Sequence, residues 1–330
     1  MNCIYRNSFF ESETFHQLLS HALLCIQTPL YVFGAYIVIV NKTPSTMEKV
    51  KFPMLLMHFS CALFDSFMNI LAIPIVIFPI TCGYPLGLMY RLGVPTGLQT
   101  YLVLTSFFFL GPATVMFFEN RYNHLVRTDS DSSSRKMRRM MHYFINYVFA
   151  LISFIPPFFN TPTNQEARGI AREKVPCLPS ELIDNPILFM LGSPRVVGYC
   201  TSIFIAITRF QILLFFSLTA FYLFDAKIQS ERTSRLQKQF FKAICIQIAL
   251  PFFIVTIPVS YLISTMFTGD LDLILSNLSV FWCTSHGLLS IVIMLRIHKP
   301  YRKATMEFLK IDKVEVNNPP RHLKLSRIYN

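Results

Sequence analysis

The sequence predicts an all-α membrane protein: seven transmembrane helices, an external amino terminus and a short interfacial helix after the seventh span. Three observations predict it. Of 330 residues, 53% are hydrophobic and only 15% charged, against about 25% charged in soluble domains. Seven apolar runs reach the roughly 17 to 25 residues that a helix needs to cross a bilayer. Together the runs hold 172 residues but only two charges, Asp65 and Arg209, where even mixing of the 48 charged side chains would place about 25. Disordered chains, coiled coils and cytosolic enzymes do not segregate charge this way.

The elements follow in order. Residues 1–17 read as an extracellular tail and 18–295 as the bundle, with spans at 18–40, 52–80, 93–118, 143–159, 196–224, 243–267 and 273–295. The first run reads as a retained helix, because it is long for a signal peptide and ends at Lys42-Thr43-Pro44. Continuous apolar runs favour helices over barrel strands, which alternate. Residues 296–312 read as an amphipathic interfacial helix, with Tyr301, Ala304, Thr305, Phe308, Leu309 and Ile311 on one face, and 313–330 as a flexible cytoplasmic tail.

Lys and Arg set the orientation. The tail 1–17 and the loops 81–92, 160–195 and 268–272 carry six; the loops 41–51, 119–142 and 225–242 and the tail from Arg296 carry 23. Basic connections stay in the cytoplasm, so the amino terminus is expected outside. With acids included, the inner set nets +14 and the outer set −2, which returns the chain's +12. The basic balance is therefore a topology signal. No nucleic-acid partner is expected, while attraction to membrane lipid on the inner face is.

Five of the eight cysteines lie in spans, where cysteine packs as a small apolar residue. Cys3, Cys82 and Cys177 face the oxidising side, and the expected disulfide joins Cys82 to Cys177. With no CxxC pair, no HExxH, no GxSxG and no phosphate loop, the sequence predicts no metal, no cofactor and no enzymatic activity.

Polar groups inside the spans need protein or a wet cavity. His58, Asp65 and Asn69 share one face of the second helix. They form either an ion, proton or ligand-coupling site around Asp65, or an interhelical hydrogen-bond network that fixes packing. Arg209 pairs with Asp65, binds an acidic ligand, or lies nearer water. His21, Gln27, Gln247 and His286 stand singly in their helices. Pro74 and Pro79 are expected to bend the second helix; Pro251 and Pro258 are expected to break the sixth into a moving part. At the inner end of the third helix, Glu119-Asn120-Arg121-Tyr122 offers a switch in which Arg121 exchanges partners, with the basic run 135–139 and residues 232–242 as coupling contacts.

Seven spans, an outside amino terminus, Arg121-Tyr122 at the base of the third helix and a helix after the seventh together resemble a G-protein-coupled receptor. More specifically, the chain resembles the nematode chemoreceptors of serpentine receptor class H. Matching stretches are Thr28-Pro29, Lys42-Thr43-Pro44, Asp65, Gly83-Tyr84-Pro85-Leu86-Gly87, Glu119-Asn120-Arg121-Tyr122, Pro176-Cys177-Leu178-Pro179, Gln247 with Pro251 and Pro258, and His298-Lys299-Pro300-Tyr301-Arg302. The resemblance implies a multi-pass chemosensory receptor in the plasma membrane, that of the sensory cilium. It binds an odorant or other small-molecule cue and signals to a heterotrimeric G protein, with receptor dimers left open. The alternative reading is a channel or transporter using Asp65 and Arg209 in a polar path.

Overall fold

The computed structural model describes residues 3–40, 45–224 and 231–314. The expected tail 313–330, apart from its first two residues, lies outside the described residues, as does Lys42-Thr43-Pro44. Ser12 accepts the Phe15 N–H at 3.1 Å and so caps helix α1 (Glu13–Val40), which starts five residues before the apolar run does.

The second span differs most from expectation. Helix α2 (Ser45–Ser66) passes into a π-helical turn at Phe67–Leu71 and stops there; residues 74–77 form strand β2 (Pro74–Ile77). Pro74 explains the stop, since it lacks an N–H and excludes the helical conformation at Ile73, which adopts φ 44°. The β-branched run Ile75-Val76-Ile77 then pairs antiparallel with β3 (Cys82–Pro85). Pro74 and Pro79 are therefore not helix bends. Gly83 is required by this hairpin, because a side chain there would run into the Ile75 carbonyl oxygen.

After α3 (Leu88–Arg91), helix α4 (Thr96–Val126) runs through the bundle against α2, α5 (Ser133–Ile152) and α8 (Pro194–Phe224). The connection 160–195 is itself folded. Thr163 and Glu166 form a capping box that starts α6 (Asn164–Lys174), followed by α7 (Ser180–Ile183) and β4 (Phe189–Met190), which adds to β3. Ala167 and Ala171, fully buried, pack in one cluster with Ile77, Tyr84 and Leu188, so helix and sheet form a cap over this end of the bundle.

Helix α9 (Glu231–Thr268) runs as one helix through Pro251 and Pro258, so these prolines do not divide it. Strand β5 (Leu271–Asp272) pairs with β1 (Cys3–Ile4), and Asp272 caps α10 (Leu273–Ile297) by accepting from Leu275 N at 3.2 Å. Helix α11 (Lys299–Val314) packs on α10 and α1, with Tyr301 fully buried and Phe308 5.2 Å from Phe33.

Among the described residues six helices are long and apolar enough to cross a membrane, and α9 adds the apolar stretch Phe252–Thr268. Their outward faces carry large apolar side chains such as Phe210, Phe221 and Ile257, each at least two-thirds exposed. Such a surface is stable against lipid tails, not against water.

Candidate functional site

Three arrangements of polar groups lie along the bundle. The first joins α1, α2 and α10. Tyr31 donates its hydroxyl proton to Asp65 Oδ2 at 2.5 Å, and His58 Nε2–H donates to the Tyr31 carbonyl at 2.9 Å. One turn further along, Asn69 donates to Gln27 Oε1 at 2.8 Å, and Gln27 donates to the Thr284 carbonyl at 2.8 Å. His286 Nδ1 lies 2.6 Å from the Cys283 carbonyl, which can only accept, so Nδ1 carries the proton and Nε2 faces the Cys61 thiol at 3.6 Å. His58, Asp65 and Asn69 are all buried. Among the described residues Asp65 Oδ1 has no partner, so there the carboxyl rests on Tyr31.

Gly287 makes this junction possible, because any side chain there would collide with the Tyr31 hydroxyl and approach Asp65 Oδ2 to 2.5 Å. Sequence reasoning found the α2 residues but left Gln27 isolated and missed Tyr31 and Gly287. The available signal was the i, i+4 spacing of Gln27 and Tyr31 on one face of α1.

Arg209 does not reach Asp65. Its Nη2 donates to Thr256 Oγ1 at 2.9 Å, and its guanidinium lies 5.0 Å from the Phe252 ring centre. Of the three readings of Arg209, pairing with Asp65 is not the one found: the two residues project to different helix neighbours.

Among the described residues two sizeable cavities adjoin in the bundle. One, of about 190 Å³, lies under the cap between β2, β3, α4, α8, α9 and α10, with Phe64, Phe78, Thr100, Phe189, Met266 and Cys283 among its walls. The other, of about 150 Å³, lies deeper between α2, α4, α8, α9 and α10 and is bordered by Phe108, Phe204, Arg209, Phe252, Thr256 and His286. Phe107, Phe108 and Val259 separate them, contributing to both. An apolar cavity of about 150 Å³ in a protein core admits a benzene-sized guest.

The cap is fastened covalently and electrostatically. Cys177 bonds to Cys3, not to Cys82 as expected; Cys82 is a free thiol buried in the sheet under α6, while β1 brings Cys3 alongside the loop between α6 and α7. Arg6 forks onto Asp272 at 2.9 and 2.7 Å. That bidentate pair, followed by the Leu275 N–H, holds the Asp272 carboxyl below the usual carboxylate range. Burial beneath the cap, together with the bond from Tyr84 Oη to Glu13 at 2.5 Å, raises the Tyr84 phenol.

At the opposite end, Glu119 is almost fully buried and accepts from Arg139 Nε at 2.9 Å, from Arg135 Nη2 at 3.3 Å and from the Tyr143 hydroxyl. Arg139 also donates to Asn120 Oδ1 at 2.7 Å, and Asn120 donates to the Lys49 carbonyl at 2.7 Å, so α2, α4 and α5 are tied at one point. Arg121 does not pair with Glu119, because two residues along a helix turn about 200°; it is buried on another side, and Tyr122 packs on Phe215 at 5.7 Å. The basic run thus lies in the first two turns of α5, with Arg135 and Arg139 closing on Glu119. The side chains of 232–240 and of Gln247 and Pro251 lie outside the described ones.

Seven long helices around a buried polar seam, capped at one end and followed by an amphipathic helix at the other, define a seven-helix membrane bundle. Squid rhodopsin, known from a crystal structure, is similar in fold, with a TM-score of 0.51 over 97% of each chain at 12% identity. The particular family comes from the sequence: the model of the serpentine type 7TM GPCR chemoreceptor Srh family matches residues 11–311, and the chain belongs to that family. No curated protein is matched. The chain is thus a multi-pass membrane protein of a receptor family.

Proposed function

We propose that the chain is a chemosensory receptor whose ligand, an environmental small molecule, binds in the capped half of the bundle and whose opposite end engages a heterotrimeric G protein. The observation that carries this reading is the pair of adjoining apolar cavities, bounded by α4, α8, α9 and α10 and closed from above by the cap. Pockets of this kind, apolar with few polar groups, suit small organic molecules. Occupancy moves α9 against α4 and α8, and the cluster around Glu119 yields to open a cleft near Arg121 and Tyr122. The bond between Cys3 and Cys177 supports placing the capped end outside, in the plasma membrane of a sensory cilium, since disulfides persist in oxidising surroundings. The channel reading is left without its central pair, because Asp65 and Arg209 hold different partners.

Calcium responses to a panel of volatile and water-soluble chemicals, in cells expressing the chain with a promiscuous Gα, test the reading. Phe108→Trp, which fills the wall common to both cavities, should abolish the response. Arg121→Ala should abolish it with surface display intact. Responses unchanged in both variants would refute the assignment.

A further inference from the structure

Arg209 stands fifteen residues from either end of α8, a helix of 31 residues. At 1.5 Å per residue α8 is about 46 Å long against a hydrocarbon core of about 30 Å, so its midpoint lies deep in the membrane. A guanidinium at that depth is too far from either interface to snorkel and is costly to insert without a partner. Among the described residues the guanidinium contacts one hydroxyl, Thr256, and one aromatic face, Phe252. Among the described residues no carboxylate lies within ion-pair distance; Asp65 is taken by Tyr31, and Glu119 by Arg135 and Arg139.

The same guanidinium borders the deeper cavity, whose remaining walls are chiefly apolar, with Phe108 and Phe204 stacked at 4.3 Å. A single fixed cation at the side of a benzene-sized apolar space has a definite chemical complement. One negative charge neutralises it; a dianion such as phosphate would leave a net buried charge. The planar fork of arginine matches the two oxygens of a carboxylate.

We propose that Arg209 anchors the carboxylate of a small organic acid whose compact apolar body fills the cavity between Phe108, Phe204 and Phe252. The inference rests on the chemoreceptor reading for its biological meaning, but it concerns binding alone and is tested without signalling.

Full-length protein in lipid nanodiscs is titrated with benzoate and hexanoate and with their neutral counterparts, benzyl alcohol and 1-hexanol, and affinity is read from the shift in thermal unfolding. The acids should bind at least about tenfold more tightly than the alcohols, the factor expected for charge-assisted hydrogen bonds. Arg209→Gln should erase that preference, Arg209→Lys should keep part of it, and Phe204→Trp should weaken all four probes by filling the space. Should Arg209→Gln fail to fold, the comparison of acid with alcohol in the wild type and in Arg209→Lys still decides. Equal binding of acids and alcohols by the wild type, unaltered acid binding in Arg209→Gln, or no binding of either acid overturns the proposal. If the acids bind through Arg209 while expressing cells give no G-protein response to any chemical, the receptor reading fails and this assignment stands. If cells respond to neutral compounds while the purified wild type ignores both acids, this assignment fails and the receptor reading stands.

Discussion

Tyr31→Phe removes one hydroxyl from the α1–α2–α10 junction and nothing else. The ring still packs edge-on to His58 at 5.1 Å, and the backbone carbonyl that accepts from His58 is untouched. What is lost is the donor at 2.5 Å from Asp65 Oδ2, and with Oδ1 unpartnered the carboxyl loses its hydrogen bonding among the described residues. Interhelical hydrogen bonds in membranes average only about 0.6 kcal/mol and reach about 1.7. Full burial and a single donor place this bond at the upper end of the membrane range, so Tyr31→Phe should cost about 1.5 kcal/mol. In an Asp65→Asn background the same change breaks an amide–hydroxyl bond and should cost about 0.6 kcal/mol. The expected coupling is about 1 kcal/mol, fivefold in the unfolding equilibrium. Unfolding free energies of the four proteins of this cycle, measured in bicelles, give the number. Equal losses in both backgrounds, within about 0.4 kcal/mol, would refute the claim that Tyr31 serves Asp65.

Gly287→Ala should destabilise the same junction severely, since the new methyl collides with the Tyr31 hydroxyl, and Tyr31→Phe should restore part of the loss; thermal unfolding of single and double variants checks both. Glu119→Gln removes the charge held by Arg135 and Arg139 and should raise basal G-protein activation about tenfold or more, by loss of one charge-assisted bond; unchanged basal turnover would reduce the cluster to a structural tie. Cys3→Ser and Cys177→Ser should each lower stability by about 2 to 4 kcal/mol, while Cys82→Ser has no such bond to lose, which non-reducing peptide mapping with thermal unfolding resolves. Asp272 is held below its ordinary range, so its contribution is complete above about pH 4 and is lost as pH falls through the lower folded value. The protection factor of the Ile4 amide, its exchange rate corrected for the intrinsic pH dependence, should therefore fall in acid, and Asp272→Asn should flatten that dependence.

The spans were legible because transfer from water to lipid is nearly additive along the chain, so segregation of charge locates a helix without knowledge of its neighbours. Boundaries failed where a local rule met a tertiary one. The run 52–80 is apolar throughout, yet Pro74 stops the helix and the residues beyond it bury themselves as a sheet edge under α6. Hydropathy alone does not distinguish residues buried in lipid from residues buried in a cap. The folded loop 160–195 carried its own signal in Thr163 and Glu166, a capping box that the charge count passed over.

Partners were the second limit. A helical wheel puts His58, Asp65 and Asn69 on one face, but which helix meets that face depends on rotation and tilt, and so Tyr31, not Arg209, serves Asp65. The same geometry turns Arg121 away from Glu119 and gives Glu119 to α5, and the parallel pairing of β1 with β5 gives Cys177 to Cys3. The sequence by itself determined the solvent, the number of crossings and the residues that resist lipid, because those follow from each residue's own transfer energy. Only the tertiary structure decided which of those residues meet, because hydrogen bonds, ion pairs and disulfides form across a few ångströms between segments that packing alone brings together.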